Sequence, residues 1–296
     1  MNNTIEIENL SHGYGREPVL HGLNLSVPAG SIYGFLGRNG AGKSTCIRIL
    51  AGLSARREGI VRVLGEDPVD FSRTTLERLG YVAETSFLPS QMKVETLIAW
   101  TRKLYPRWSD EIVARLLERF RLDRLKVIHE LSLGQQRQLA FLLAVAPRPT
   151  LLVLDEPAAN LDTVARRGFL TEIAALAREE GTTVFFSTHV LGDVERVADR
   201  VGILSDGRLL IDEPLDDLKE EVHQVRFFWN HPEPPPVKVS GAYRTHVGRG
   251  EVLITMRVVT EASITELADR AGCQWETRSL NLEDLFVELT EGEFHD

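Results

Sequence analysis

Cysteine is almost missing from this chain. Cys46 and Cys273 are the two in 296 residues, and they lie far apart. That excludes a disulfide framework and a thiolate metal cluster, and it suits a reducing compartment. Long apolar runs are also missing. The stretch from Leu139 to Pro147 is the longest uncharged one near the middle, far short of the roughly 20 residues a spanning helix needs. Met1 to Glu8 is polar, so no secretory leader is expected. There is no excess of positive charge. A net charge of −9 argues against a general nucleic-acid or anionic-membrane surface, and no nucleic-acid partner is expected. Any membrane role must come through a partner. Internal repeats and long low-complexity tracts are absent as well.

A length of 296 residues is enough for one large domain and a small one. A hydrophobic content of 43% with 26% charged residues supports an ordinary packed core. The stretch that organises the chain is Gly37-Arg38-Asn39-Gly40-Ala41-Gly42-Lys43-Ser44-Thr45. It fits G-x-x-x-x-G-K-[ST], the phosphate-binding loop. The apolar run Ile32 to Leu36 before it reads as a buried strand, and Ile47 to Ala51 after it as a helix. Glycines let backbone N–H groups turn inward around a phosphate, and the helix N-terminus adds partial positive charge. Lys43 can reach the β- and γ-phosphates, and Ser44 can hold Mg2+.

Around this loop the pattern alternates between strands and helices. Thr4 to Ile7 and Val19 to Val27 read as half-buried strands of an antiparallel edge, with Gly13-Tyr14-Gly15 as a turn between them. Gly59 to Gly65 and Leu79 to Ala83 read as strands, the second ending at Glu84. From about Val94 to Ala146 the pattern is helical. Ser109 is an expected N-cap for a helix with Ile112, Val113, Leu116, Leu117 and Phe120 on one face. Ser132 is expected to start another helix, stopped by Pro147.

Leu151 to Leu154 is an apolar strand ending in Asp155-Glu156. Val164 to Glu180 reads as a helix that buries Leu170, Ile173, Ala174 and Ala177, closed by Gly181. Thr183 to Ser187 is another buried strand, and Asp206-Gly207 marks a hairpin. The expected fold class is therefore α/β: a mostly parallel sheet core, an antiparallel β edge and a helical subdomain at about 90–146.

A boundary is expected near residues 214–222, giving a domain over 1–220 and a small α+β accessory domain over 221–296. In the latter, Val225 to Trp229 and Val252 to Val258 read as strands and Ala262 to Ala271 as a helix. Pro232, Pro234, Pro235 and Pro236 read as a loop. Leu282, Leu285, Phe286 and Leu289 form a helical stripe behind an Asn281 N-cap, read most simply as a docking face within the tail.

Asp155 is placed to bind Mg2+, directly or through water, and Glu156 can polarise a water for attack on a γ-phosphate. About 20 residues upstream, Leu131-Ser132-Leu133-Gly134-Gln135 offers a second helix N-terminus with a serine hydroxyl and a glycine amide, another anion site. With these motifs in this order the chain resembles the ATP-binding subunits of ABC transporters, whose signature is LSGGQ. Ser132, Gly134 and Gln135 match that signature, and Leu133 replaces its first glycine. The resemblance covers about residues 4–220 and implies a P-loop ABC-ATPase fold.

Several roles come only from the resemblance. It implies that Tyr14 stacks on adenine and that His189 contacts the γ-phosphate. It gives Ala159-Asn160-Leu161-Asp162 as the loop linking two nucleotide sites. Glu84 stands where the family has a glutamine that touches Mg2+ or water and senses the membrane subunit. Glutamate keeps an oxygen ligand and adds negative charge beside the catalytic carboxylates. The resemblance also implies ATP sandwiched between two subunits, the phosphate loop of one against the Ser132 motif of the other. A second copy, or a paralogous ATPase, is therefore required. Leu133 leaves two outcomes open: a slightly displaced phosphate contact, or an asymmetric or slow assembly.

Tyr105-Pro106-Arg107-Trp108 and the ending Asn281 to Thr290 resemble the antibiotic- and multidrug-type exporter ATPases. That group pairs a separate ATPase with integral membrane permease subunits at the cytoplasmic face of the membrane. The implied function is a motor that binds and hydrolyses ATP and drives export through ATP-dependent dimerisation. The alternatives are a non-transport ABC ATPase and a catalytically weak regulatory subunit.

Overall fold

The structure is a computed structural model that describes residues 3–85, 87–159, 161–230, 239, 242–257 and 260–290. Asn160, the four prolines from 232 to 236, and Val258 lie outside the described residues. The chain divides into two compact units, Met1–Asp212 and Glu213–Asp296. The boundary drawn at 220/221 from the sequence thus falls at the far end of a helix, Leu215–Glu221, that begins just inside the second unit.

In chain order the elements of the first unit are β1 (Asn3–Tyr14), β2 (Glu17–Pro28), β3 (Ile32–Gly37), α1 (Lys43–Leu50), β4 (Glu58–Val63), α2 (Arg73–Arg78), β5 (Leu79–Val82), α3 (Val94–Arg102), α4 (Asp110–Arg119), α5 (Leu133–Val145), β6 (Leu151–Leu154), α6 (Thr163–Glu180), β7 (Thr183–Thr188), α7 (Leu191–Val197), β8 (Arg200–Ser205) and β9 (Arg208–Pro214), the last ending just past the boundary. Two sheets result. Strands β2-β1-β4 make an antiparallel layer, and β5-β6-β7-β3-β8-β9 make the main sheet. In the main sheet β3 pairs in parallel with β7 on one side and β8 on the other, and β5, β6 and β7 continue in parallel.

The parallel strands are buried on both faces, as their unbroken apolar runs require. Side chains from both sheets and from α1 share one core: Ile5, Leu23, Val61, Phe35, Ile47, Val153 and Phe185 all belong to it. This packing fixes the carboxyl ends of β3, β6 and β7 side by side, with Leu36 beside Thr188 and Leu154 beside Phe186. Ligands of open α/β sheets bind beyond the carboxyl ends of the strands.

Three helices occupy the expected helical subdomain. Ser109 caps α4 by accepting from Ile112 N at 3.3 Å, and Ile112, Val113, Leu116, Leu117 and Phe120 are buried. Gly181 closes α6 with φ +66°, although Ala174 is only half-buried. One local reading is corrected. Tyr14 still belongs to β1, opposite Glu17, and the turn is at Gly15-Arg16. Gly13 sits at a register shift of the β1–β2 pairing and lets the strands approach, because a Cβ there would sit 2.2 Å from Glu17 O.

The second unit begins with α8 (Leu215–Glu221) and β10 (Val222–Phe228), then β11 (Arg244–Val247), β12 (Glu251–Arg257), α9 (Glu261–Ala271), β13 (Gln274–Ser279) and α10 (Leu282–Thr290). Its antiparallel sheet has the order β11-β12-β10-β13. Val225, Phe227, Ile254 and Ile264 form its core. Asn281 caps α10 by accepting from Asp284 N at 2.7 Å, and Leu282, Leu285 and Leu289 are buried.

Candidate nucleotide-binding and catalytic site

The loop between β3 and α1 is shaped by its glycines. Gly40 and Gly42 take φ of +88° and +107°, and a Cβ on Gly42 would meet Leu20 at 2.8 Å. Those angles favour glycine, and turns of this kind can present backbone N–H groups to an anion. The β8–β9 turn supports the loop from behind, where Gly207 N donates to Ala41 O at 3.1 Å. Arg38, Asn39 and Gly40 are exposed, whereas Ala41, Lys43 and Thr45 are buried.

Lys43 Nζ donates to the carbonyl of Gly37 at 2.7 Å and of Arg38 at 3.3 Å, and it lies 3.5 Å from Glu156 Oε1. Ser44, the next residue, faces the end of β6. Its hydroxyl donates to Asp155 Oδ1 at 3.1 Å. The same oxygen accepts from Ser187 Oγ, at the end of β7, at 2.7 Å. Ser187 is fully buried, and its hydroxyl oxygen also accepts from Glu156 N at 2.9 Å. One hydroxyl thus fixes the direction of Asp155 and the backbone of Glu156.

Glu156 is a buried carboxylate with φ +47°. Oε2 lies 2.9 Å from His189 Nδ1, while the buried Oε1 makes no hydrogen bond and faces Lys43. Beside it a cavity of about 380 Å³ is lined by Val19, by every phosphate-loop residue from Arg38 to Thr45 except Ala41, by Glu84, Glu156 and Ala159, and by His189. The structure therefore brings together Lys43, Ser44, Glu84, Glu156 and His189, with Asp155 hydrogen-bonded to Ser44.

Other sequence candidates lie elsewhere. Tyr14 is half exposed at the end of β1, edge-to-face with His12 at 5.3 Å, and does not line this cavity. Ser132, Gly134 and Gln135 face a second cleft together with Leu161 and Asp162. There Ser132 caps α5: its Oγ accepts from Gln135 N, and Gln135 Oε1 accepts from Ser132 N, both at 3.2 Å. Asp162 caps α6, accepting from Val164 N and Ala165 N at 2.9 Å. Leu133 is 73% exposed at the mouth of this cleft, so its side chain displaces nothing within the fold.

Two structural participants were not singled out from the sequence. Ser187 could have been suspected as a hydroxyl ending an otherwise apolar buried strand. Arg137 could have been suspected as a cation one turn into a helix that buries Leu139, Phe141 and Leu142, since buried arginines need partners. Arg137 donates to the carbonyls of Glu156 at 2.9 Å and Ala159 at 2.6 Å, and to that of Glu84. Burial lowers its affinity for a proton, while Glu84, Glu156 and Asp155 pull it back up. A further pair, Arg166 with Asp193, ties α6 to α7 through two bonds of 2.7 and 2.6 Å.

The donor set suits a nucleotide triphosphate with a hard cation. The loop carries backbone amides, the Lys43 ammonium lies against its carbonyls, and a serine–aspartate pair offers oxygen ligands. Among the described residues no cluster of three or more His, Cys, Asp or Glu could hold a metal by itself. Mg2+ does not need one, because it keeps waters and substrate phosphate oxygens in its shell.

Comparison with known proteins agrees with this geometry. Residues 20–159 match the family described as ABC transporter. Nod factor export ATP-binding protein I of Rhizobium meliloti is 32% identical over 301 residues, covering 99% of this chain and 89% of that protein. Bacitracin transport ATP-binding protein BcrA of Enterococcus faecalis is 34% identical over 220 residues, 74% of this chain and 71% of that protein. Among solved structures, an ATP-binding subunit of an ABC transporter superimposes with a TM-score of 0.66 at 29% identity, over 73% of this chain and 92% of that one. The chain belongs to the ABC transporter family, and its fold is that of the family's ATPase domain. No helix among the described residues is long and apolar enough to cross a membrane.

Proposed function

We propose that this chain is the ATP-hydrolysing motor of an exporter, acting on separate membrane permease subunits from the cytoplasmic face. The observation that carries the reading is the convergence of Lys43, Ser44, Asp155, Glu156 and His189 on the carboxyl ends of adjacent parallel strands. The relative named for Nod factor export supports the direction of transport, and the one named for bacitracin transport supports the transport role.

In this reading the loop amides and Lys43 bind the β- and γ-phosphates. Ser44 and Asp155 hold Mg2+, with Glu84 as a further oxygen ligand. Bound Mg2+ neutralises charge on the phosphate oxygens. Glu156 accepts the proton of the attacking water, and His189 orients its carboxylate and reaches toward the γ-phosphate. Tyr14 stacks on the adenine.

The second cleft, with Ser132, Gly134, Gln135 and Asp162, closes on the nucleotide of a second copy. That arrangement is supported by a neighbour in structure solved as a dimeric post-hydrolysis cassette with ADP and Pi, which matches the fold with a TM-score of 0.63.

The test is an affinity capture from detergent-solubilised membranes with the Glu156→Gln variant, ATP and Mg2+. A polytopic membrane protein is expected. Capture of ribosomal, DNA-repair or cofactor-assembly proteins in its place overturns the transport reading and leaves the ATPase mechanism standing.

A further inference from the structure

Three carbonyls from two separate connections, the one after β5 and the one after β6, meet at one guanidinium. Arg137 donates through Nη1 to Glu156 O at 2.9 Å and Ala159 O at 2.6 Å, and through Nη2 to Glu84 O. Glu84 follows β5, Glu156 follows β6, and Ala159 belongs to the turn leading to α6. The arginine is only 8% exposed. Its planar fork of five donors can serve three carbonyls in one plane; a lysine ammonium, as a single point, cannot.

The residue it grips most tellingly is Glu156. A non-glycine residue at φ +47° persists only where its surroundings over-determine it. Here the backbone is held at both ends: Ser187 Oγ accepts from the N–H, and Arg137 donates to the carbonyl. That pair sets the direction in which the side chain leaves the turn, toward Lys43 and His189.

Arg137 also lies one turn from the capped end of α5, four residues after the exposed Leu133, and so near the same face of the helix. α5 is a single helix of 13 residues, so a displacement at Ser132–Gln135 moves the guanidinium with it.

We propose that Arg137 is a positioning residue for the hydrolytic step. It aims the Glu156 carboxylate, and it ties that aim to the position of α5, the Glu84 segment and the Ala159 turn. The proposal rests on the reading of this site as an ATPase with Glu156 as base. Arg137 touches no reacting atom. Its loss therefore acts on turnover and spares nucleotide binding, which the loop amides and Lys43 provide.

The experiment compares the full chain with Arg137→Ala, Arg137→Lys and Glu156→Gln. It measures kcat, ATP KM, the affinity for a fluorescent ATP analogue and the melting temperature. A misplacement of about 1 Å costs on the order of 100-fold. The expected result is thus a fall in kcat of about that size in both Arg137 variants, with analogue affinity within about twofold of the parent. Arg137→Lys keeps the charge and should still fail to restore turnover. The proposal is overturned if either variant turns over within about threefold of the parent. It is also overturned if binding and folding are lost together in both, since that marks a purely structural arginine. If Glu156→Gln turns over like the parent, the assignment of the base has failed. If that variant is inactive while the Arg137 variants are normal, only the present proposal has failed.

Discussion

His189 Nδ1 lies 2.9 Å from Glu156 Oε2, while Oε1 is buried, makes no hydrogen bond and lies 3.5 Å from Lys43 Nζ. The two carboxylate oxygens therefore have different surroundings. One is held by the imidazole, and the other lies against the Lys43 ammonium without a hydrogen bond. Glu156→Gln keeps the shape and removes the base. We expect turnover to fall by about 10²- to 10⁴-fold, the usual contribution of a general base. ATP binding should persist, and the ATP-bound dimer should accumulate. Steady-state phosphate release and size-exclusion chromatography with ATP and Mg2+ check this. Unchanged turnover removes Glu156 as the base.

Ser187→Ala is the sharpest test of how the two acids are held. The hydroxyl donates to Asp155 and accepts from Glu156 N, both inside the core. Glu156 N then lacks its buried acceptor, which costs about 1–3 kcal/mol, while Asp155 Oδ1 keeps only the bond from Ser44. Urea unfolding should show that loss. The Mg2+ concentration needed for half-maximal ATPase should rise as well, because Asp155 loses its orientation. A stability loss with an unchanged Mg2+ dependence would confine Ser187 to a packing role.

Cys46 follows the phosphate loop directly and is fully buried. Burial, reinforced by the charge of Asp155, pushes its thiol up from 9.0 to about 12. Raised in the folded state, this group contributes stability that is complete below pH 9.0 and is eroded as pH climbs toward about 12. Cys46→Ala should flatten the loss of melting temperature across that alkaline window. At neutral pH a thiol reagent should modify the half-buried Cys273 and spare Cys46 until the chain unfolds. Rapid labelling of both thiols in the native protein would contradict the burial.

Much of this was legible in the sequence, for physical reasons that differ by element. The buried parallel strands announce themselves as unbroken apolar runs, and Ser109, Ser132, Gly181 and Asn281 mark helix ends by cap chemistry that acts locally. β11 and β13 escaped because they carry no apolar alternation: Gln274–Ser279 is almost wholly exposed and is held by pairing to β10. α2 and α7 are too short for their periodicity to stand out. In the site, residues inside contiguous motifs were legible. Arg137 and Ser187 were not, because their importance lies in partners that the fold brings from 19 to 53 residues away.

Leu133 occupies the first position of α5 and points outward, 73% exposed, beside Ser132 and Gly134 in the second cleft. A leucine this exposed contributes little to the fold, so Leu133→Gly should cost no more than the helix penalty of about 0.5–1 kcal/mol. Its effect belongs to assembly. If a second copy brings its nucleotide against the capped end of α5, removing the isobutyl group lets the backbone of Leu133 and Gly134 come closer to the phosphates. ATP-dependent dimerisation should then strengthen, and turnover per site should rise. Analytical ultracentrifugation of the Glu156→Gln and the Leu133→Gly/Glu156→Gln chains across an ATP titration reads the first effect, and phosphate release from Leu133→Gly alone reads the second. Equal dimerisation and equal turnover would show that the cleft accommodates leucine without displacement. Weaker dimerisation would make the side chain a contact with the second copy, reversing the sign argued from its bulk.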